Sequence, residues 1–336
     1  WKTIEKSVLR SPLFSDFFIS KETGLFFLQK SRFVLAFAHN QRIKMEVKTY
    51  TADAFAEQEG GGNPAGVVIE SLSDKEMLSV AQILGFSETA FVEKLKSTEA
   101  DFRVRFFTPA KEVDLCGHAT IATFSVLLKL NKILPGFYKQ ETKAGRLNIE
   151  IKEDGLVLME QNKPQYGEVL SKDEITDSLN IPLEYIQEDL PIQIVSTGLR
   201  DIFIPIKSKE NLLKIQPDFE KVIKVCEKYD TIGYHLFVLN SDPNITADCR
   251  NLAPRFNIPE EAATGTSSGA LACYLWKHGK ISENQLLFKQ GESMNRPSKI
   301  FTTFSIEDGI VKKVIVGGTA LNIQERNVEL NNFKMS

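Results

Sequence analysis

Two stretches of the chain repeat each other and indicate how it folds. Residues Cys116–Lys129 read CGHATIATFSVLLK and align without gaps on Thr264–Lys277, which read TGTSSGALACYLWK. In both stretches a glycine and small or hydroxyl residues lead directly into an apolar helical segment. The offset between them is close to half of the chain that follows Met45, as a duplicated domain would produce. The repeat therefore predicts two similar domains, each containing one of these helices.

The starts of both predicted helices have the chemistry of an anion-binding site. Backbone N–H groups at a helix N-terminus lack partners within the helix, and the helix dipole places positive charge there. Two such starts in two similar domains predict a single carboxylate-bearing ligand, held in a cleft between the domains.

The remaining sequence alternates strand and helix signals without a regular βαβ order. Val47–Thr51 and Phe102–Phe107 alternate as strands do. Ser73 and Ser171 are each followed three residues later by Glu, which predicts a capping box at two helix starts. Residues 218–229 have apolar side chains at helical spacing. The predicted fold class is α+β, with many short, mostly antiparallel strands around a few helices.

Composition excludes several classes of function. The 336 residues include 41 basic and 44 acidic ones, so the net charge of −3 gives no electrostatic footprint for nucleic acid. The four cysteines lie far apart without a C-x-x-C pair, which argues against a disulfide scaffold or a zinc cluster. No run of 18 apolar residues predicts a membrane span, and nucleotide-binding glycine motifs are missing. We expect a cytoplasmic protein with no cofactor, no nucleic-acid partner and no membrane partner.

Residues 1–44 differ from the rest of the chain. They carry eight basic and three acidic residues and are rich in Phe. Basic, Ser-bearing N-termini are typical of targeting peptides, although the three acidic residues count against that interpretation. We expect an N-terminal extension outside the fold, either an appended leader from the gene model or a targeting peptide.

Four residues are candidates for chemistry. Glu88 lies between apolar neighbours where a helix ends and a strand begins, so its carboxylate is expected to be partly buried, as general acid–base work favours. His118 follows the glycine at the first helix start, where an imidazole can exchange a proton beside a substrate carboxylate. Glu261 precedes the second helix start and, if it faces Glu88, the two charges repel. Cys116 supports a rival hypothesis, because thiols at helix starts are often nucleophilic. No second histidine stands at ligand spacing, so no metal site is predicted.

Several motifs in order make the chain resemble the phenazine-biosynthesis PhzF family from about Met45 to Glu325. The motifs are Asp53-Ala54-Phe55, Gly62-Asn63-Pro64-Ala65-Gly66-Val67, Ser87-Glu88-Thr89-Ala90-Phe91-Val92, the segment Phe107–Thr120 around Cys116-Gly117-His118, the segment Arg255–Gly265, Gln290-Gly291-Glu292 with Arg296-Pro297-Ser298, and Val316-Gly317-Gly318.

The resemblance implies a fold similar to diaminopimelate epimerase. That fold has two pseudo-symmetric domains, each a mostly antiparallel sheet wrapped around a central helix, here 45–160 and 161–317. As an alternative boundary, the first domain also includes the C-terminal strand near 318–326. Family likeness also makes a homodimer plausible.

The resemblance also implies a cofactor-independent isomerase of a biosynthetic process, which moves a proton on a small carboxylate-bearing substrate. Glu88 would be the general acid/base in the interdomain cleft, and His118 and Glu261 would flank it. The implied substrate-binding residues are Asn63, Gly117, Gly265 and Thr266.

The loop before the second helix departs from the family pattern. That pattern usually reads Glu-Asp-Pro-Ala-Thr-Gly-Ser, where this chain has Glu260-Glu261-Ala262-Ala263-Thr264-Gly265-Thr266. Glu261 stands where the family has Asp, so its side chain is one methylene longer. The longer side chain moves the carboxylate by about 1 Å, a distance that matters for proton transfer. Two alternatives therefore stay open: a one-thiol epimerase in which Cys116 faces Glu88, and a non-catalytic PhzF-like protein that binds a ligand or an interaction partner.

Overall fold

The computed structural model describes the backbone of residues 42–333 and of two short segments before them, and the side chains of residues 45–330. The two short segments are strands β1 (Phe17–Ile19) and β2 (Phe26–Leu28), which pair antiparallel. Apart from these strands and the start of β3, the predicted N-terminal extension lies outside the described residues. Val47–Val328 form one unit, and the two ends of the chain form another.

The described residues contain six α-helices and twenty strands. The helices are α1 (Asp74–Leu84), α2 (Gly117–Lys129), α3 (Lys172–Leu179), α4 (Lys209–Lys214), α5 (Phe219–Lys228) and α6 (Gly265–Lys277). The strands after β2 are β3 (Arg42–Ala54), β4 (Asn63–Val68), β5 (Thr89–Lys94), β6 (Phe102–Phe107), β7 (Glu112–Val113), β8 (Gly136–Thr142), β9 (Gly145–Ile151), β10 (Val157–Gln161), β11 (Gln165–Val169), β12 (Gln193–Ser196), β13 (Arg200–Pro205), β14 (Gly233–Leu239), β15 (Ala247–Ala253), β16 (Ile258–Glu261), β17 (Gln285–Gln290), β18 (Ser298–Glu307), β19 (Ile310–Gly318) and β20 (Ala320–Phe333).

Strands β3 to β20 are joined in one large sheet system. Most neighbours pair antiparallel, as in the ladder β17–β18–β19–β10–β9. Four pairs are parallel, namely β4–β5, β6–β8, β13–β14 and β15–β17. The prediction of mixed helices and mostly antiparallel strands is confirmed at this level.

Helices α2 and α6 lie in the core. Each has 13 residues, begins at the second position of the 14-residue repeat and ends at its last position. Ten residues of α2 and eleven of α6 are buried. A helix that is apolar on all sides is stable only when protein surrounds it. Accordingly, α2 packs on β4, β5 and β10, and α6 packs on β12, β18 and β19.

The two predicted capping boxes have different outcomes. At the start of α1, Ser73 accepts from the backbone N–H of Glu76, whose side chain accepts from Ser73 in return, so that capping box is confirmed. Ser171 does precede α3, but its side chain makes no capping hydrogen bond, so the second box is wrong. The reason is that Glu174 accepts hydrogen bonds from Lys228 and Tyr229 on α5 instead.

None of the helices in the described part of the chain is long and apolar enough to cross a bilayer. The boundaries of the two predicted domains stay a prediction.

Candidate active site

Glu88 lies immediately before β5, three residues after Gly85 ends α1 in a left-handed conformation. Its backbone carbonyl accepts from the N–H of Gly66 at 3.2 Å, which ties it to β4. Its side chain is only 12% exposed, and its Oε2 lies 3.3 Å from His118 Nε2. That contact lacks hydrogen-bond alignment, so Oε2 is buried without a hydrogen bond. A buried carboxylate oxygen without a partner is unusual in a folded protein and is a reason to suspect function.

His118 is held by Asn63, the first residue of β4. Asn63 Nδ2 donates to the carbonyl of Ala263 at 3.1 Å and lies 3.3 Å from His118 Nδ1. Because Nδ2 carries only hydrogens, Nδ1 must accept, and the ring proton is therefore assigned to Nε2. Nε2 is the nitrogen that faces Glu88 and Ser87. Burial lowers the pKa of His118 although Glu88 opposes that effect, so the imidazole is neutral near pH 7.

Cys116 lies beside the same two groups. Its Sγ is 3.4 Å from His118 Nδ1, and the side chain is 9% exposed. Burial and the negative charge of Glu88 raise the pKa of the Cys116 thiol well above its usual value. The sulfur is consequently a neutral thiol at neutral pH, which removes the nucleophilic thiolate that the rival hypothesis needs.

Glu261 is the last residue of β16 and lies near enough to Glu88 for their charges to interact. Burial is the main cause that raises the pKa of Glu261 to about 8, and repulsion from Glu88 adds to it. The hydroxyl of Thr264 donates to Glu261 Oε2 at 2.7 Å and favours the ionised form. The balance leaves Glu261 mostly protonated at neutral pH.

A cleft of about 260 Å³ opens beside these groups. Its lining residues come from both halves of the sequence: Asn63, Pro64, Gly85, Phe86, Ser87, Ile258, Glu260, Glu261, Ala262, Met294 and Arg296. Of the sequence-predicted site residues, Asn63 and Glu261 line the cleft. Glu88 and His118 are not lining residues, but Ser87, which precedes Glu88 and does line the cleft, has its hydroxyl 3.4 Å from His118 Nε2.

The three predicted binding residues at the helix starts do not line this cleft. Gly117 and Gly265 are the first residues of α2 and α6. Thr266 is buried, and its backbone carbonyl accepts from Thr197 Oγ1 at 3.0 Å. Their roles in substrate binding stay predictions.

The starts of α2 and α6 lack side-chain caps, as does the start of α3. Cys116 and Thr264 occupy the N-cap positions without a capping hydrogen bond. By contrast, Ser73, Ser208 and Asp218 cap α1, α4 and α5 with their side chains. Uncapped N–H groups keep their capacity to bind an anion, although Thr264 directs its hydroxyl to Glu261 instead.

Sequence reasoning assigned no role to Arg296, which the structure places at the cleft. Its guanidinium bonds Asp53 at 2.8 Å and donates to the carbonyls of Gly61 and Gly62. Arg296 stands in a motif that was recognised, but the motif does not show that its charge is already paired with Asp53. The apolar lining residues Phe86, Ile258 and Met294 gave no signal, because exposed apolar side chains occur singly on most surfaces.

Glu88, Cys116 and His118 also bring a carboxylate, a sulfur and an imidazole within 4.8 Å of one another. This donor set suits zinc chemically. A metal at His118 Nε2 would, however, require the ring proton to move to Nδ1, where it would meet the donating amide of Asn63. The hydrogen-bond network therefore favours an acid–base site, and the expectation of no metal stays a prediction.

Comparisons with known proteins agree with this fold. The profile of the phenazine biosynthesis-like protein family, PhzC-PhzF, matches residues 52–326. An uncharacterized isomerase of Clostridium acetobutylicum is 34% identical over 295 residues, which cover 84% of this chain and 98% of the relative. A crystal structure of a PhzF-family phenazine biosynthesis protein from Bacillus anthracis superposes with a TM-score of 0.77 at 29% identity, covering 84% of this chain and 99% of that one.

A more distant structure shows how widely the fold is shared. A hydroxyproline epimerase from Agrobacterium vitis superposes with a TM-score of 0.59 at 11% identity, covering 87% of this chain and 94% of that one. At that identity the likeness concerns the fold alone.

The fold and the matches define a protein of the PhzF class. The chain belongs to the phenazine biosynthesis-like PhzF family and is an isomerase of that family. The predictions of family and enzyme class are thereby confirmed.

Proposed function

We propose that this isomerase moves a proton between two carbons of a small carboxylate-bearing substrate, with Glu88 as the general acid/base. The observation that carries the proposal is the pair of neighbouring carboxyl groups, Glu88 and Glu261, in different surroundings: Glu261 accepts from the Thr264 hydroxyl, whereas Glu88 Oε2 is buried without a hydrogen bond. Burial and the charge of Glu88 keep Glu261 protonated, while Glu88 Oε2 lies 3.3 Å from His118 Nε2 without an aligned hydrogen bond. Pairs of titratable groups with such divergent environments are typical of acid–base sites.

The proposed reaction needs no oxidant and conserves every proton. The Glu88 carboxylate takes a proton from one substrate carbon, and the electron pair of that C–H bond moves into the conjugated, carboxylate-bearing system. Glu88 then returns the proton to a second carbon as the new C–H bond forms. Glu261, as a neutral acid, and the His118 N–H are donors for the negative charge that develops between these two steps.

The proposed domain arrangement follows from the two buried helices. We take α2 and α6 as the central helices of two pseudo-symmetric domains, 45–160 and 161–317, each wrapped by its part of the sheet. The coincidence of both helices with the 14-residue repeat supports this arrangement. The cleft lined from both halves of the sequence supports a site between the domains.

The one-thiol alternative is less favoured by the geometry. The sulfur of Cys116 lies within 4.8 Å of both the His118 ring and the Glu88 carboxylate, and its raised pKa keeps it protonated. The one-thiol mechanism requires a thiolate that faces Glu88 from the opposite side of the substrate.

Substitution Glu88→Gln tests the proposal. Small unsaturated and α-amino carboxylates are incubated with the full chain, and isomerised product is measured by NMR. We expect Glu88→Gln to lower turnover by about 1,000-fold, since general acid–base groups contribute about 10²–10⁴. Glu93→Gln, at an exposed glutamate on β5, the strand that follows Glu88, is the matched control and should leave turnover unchanged. Undiminished turnover in Glu88→Gln would refute Glu88 as the acid/base.

A further inference from the structure

The buried side chain of Gln290 directs its hydrogen bonds at the loop that carries Glu261. Gln290 is the last residue of β17 and is 2% exposed. Its Nε2 donates to the backbone carbonyl of Glu261 at 2.8 Å and to Thr264 Oγ1 at 3.0 Å. Its Oε1 accepts from the backbone N–H of Thr264 at 3.2 Å. Three hydrogen bonds therefore connect one buried amide to both ends of a four-residue loop.

These partners allow only one orientation of the Gln290 amide. If the oxygen and nitrogen exchanged places, Oε1 would face the Glu261 carbonyl and Nε2 would face the Thr264 N–H. Both contacts would be repulsive, and buried unpaired polar groups are costly. The two hydrogens on Nε2 are therefore both used, one on Glu261 and one on Thr264.

The Gln290 amide also sets the direction of the Thr264 hydroxyl. Because Thr264 Oγ1 accepts from Gln290, its own hydrogen is free to point at Glu261 Oε2, 2.7 Å away. Hydrogen bonds in such a chain polarise and orient one another. Since Oε2 accepts, the proton that Glu261 carries is left to Oε1.

We propose that Gln290 is a positioning residue for the isomerase, which acts through Thr264 to orient the Glu261 carboxyl and tune its affinity for a proton. The inference rests on the proposed role of Glu261 in the reaction. It gives a function to the Gln290-Gly291-Glu292 motif, which the reaction itself leaves unused.

Other charged groups near Glu261 are left in place by a substitution at Gln290. Glu88 and Asp201 both raise the pKa of Glu261 through their charges, and Cys116 interacts with it. Two further charged residues line the same cleft, and each is paired: Glu260 with Arg250 and Arg296 with Asp53. A change that follows Gln290→Met then reflects the loss of its hydrogen bonds to Glu261 and Thr264, and the Thr264→Val variant isolates the part carried by the hydroxyl.

The test is a titration of Glu261 that needs no substrate. The full chain is labelled with [13C]glutamate at the carboxyl carbon, and the Glu261 signal is assigned by its loss in Glu261→Gln. We expect Gln290→Met to shift the titration of Glu261 upward by about 0.5 pH unit or more, because a less well oriented hydroxyl stabilises the carboxylate less. Gln193→Met is the matched control, since Gln193 is equally buried but bonds Gly167 and His278 away from the cleft.

Two further variants test whether Gln290 acts through the Thr264 hydroxyl and provide a substitute if Gln290→Met does not fold. Thr264→Val removes the hydroxyl and should give an upward shift at least as large, and adding Gln290→Met to it should change nothing more. If Gln290→Met does not fold, Gln290→Asn retains the amide one methylene short and should shift the titration in the same direction. Unchanged titration of Glu261 in the folded variants, or full additivity with Thr264→Val, would overturn the proposal.

The outcome is distinguishable from failure of the proposed function. The NMR titration reports on Glu261 whether or not any substrate is turned over. Where turnover is measurable, Gln290→Met should move the alkaline limb of its pH profile to higher pH, whereas a merely structural defect would lower turnover at every pH.

Discussion

The starts of α2 and α6 have similar backbone structure but different neighbouring side chains. Both helices have 13 residues, begin with glycine and follow an N-cap without a capping hydrogen bond. At α2 the neighbouring groups are a neutral imidazole, a neutral thiol and the Glu88 carboxylate. At α6 the neighbouring group is the Glu261 carboxyl, which burial keeps protonated and which accepts from the Thr264 hydroxyl, while the Gln290 amide donates to the Glu261 backbone carbonyl. In the proposed reaction, the α2 side therefore supplies the proton acceptor and the α6 side supplies a proton donor.

The α2 side depends on the tautomer that Asn63 imposes. Asn63→Asp places an acceptor opposite Nδ1, so the ring proton should move there and Glu88 should lose the N–H that faces it. We expect turnover to fall by about 100-fold, within the range of a general acid–base contribution. The 15N signals of His118 should report Nε2–H in the natural protein and protonated Nδ1 in Asn63→Asp. If His118 of the natural protein already carries its proton on Nδ1, the proposed difference between the α2 side and the α6 side of the site is wrong.

The α6 side depends on the raised pKa of Glu261, which has a consequence for stability. A carboxyl with a folded pKa of about 8 binds its proton more tightly than the unfolded chain does. Its contribution is therefore favourable at low pH and is lost as pH rises from about 4.5 through 8. Glu261→Gln should be more stable than the natural protein at pH 9 by on the order of 2 kcal/mol, and nearly equal to it at pH 5.

Denaturant unfolding at both pH values measures this effect. Glu307→Gln, an exposed glutamate on β18, is the control and should show no such pH-dependent gain. Equal stability differences at pH 5 and pH 9 would show that Glu261 is ionised over the whole range.

The smallest effect is expected at Cys116, the α2 counterpart of Thr264. Its thiol is protonated and donates nothing that proton transfer requires, so Cys116→Ala should lower turnover by no more than about 3-fold. Turnover and thermal unfolding of this variant are compared with those of Cys273→Ala, a buried thiol within α6. Loss of turnover in Cys116→Ala alone would restore the one-thiol alternative.

The sequence predicts those parts of the molecule that depend on local patterns. The repeat correctly predicts a helix directly after Cys116 and another directly after Thr264, and Phe102–Phe107 forms a strand with the predicted bounds. The apolar flanks of Glu88 correctly indicate a largely buried carboxylate. These features follow from periodicity and burial, which neighbouring residues encode.

Other features depend on residues far apart in the chain, so no local pattern could reveal them. The bond from Asn63 to Ala263 spans 200 positions, and the Gln290 amide meets Thr264 across 26. The capping box predicted at Ser171 fails for the same reason, because Lys228 and Tyr229 of another helix bind Glu174. Motif recognition found Gln290 and Arg296, but only the fold shows which groups they bind.

Deuterium exchange tests most directly whether Glu88 moves a proton on carbon. The full chain is incubated in D2O with small unsaturated and α-amino carboxylates beside Glu88→Gln, and mass spectrometry reads deuterium in each compound. We predict uptake into at least one compound with the natural protein and none above background with Glu88→Gln. Uptake that persists in Glu88→Gln, or compounds that bind the natural protein without any exchange, would contradict proton transfer by Glu88.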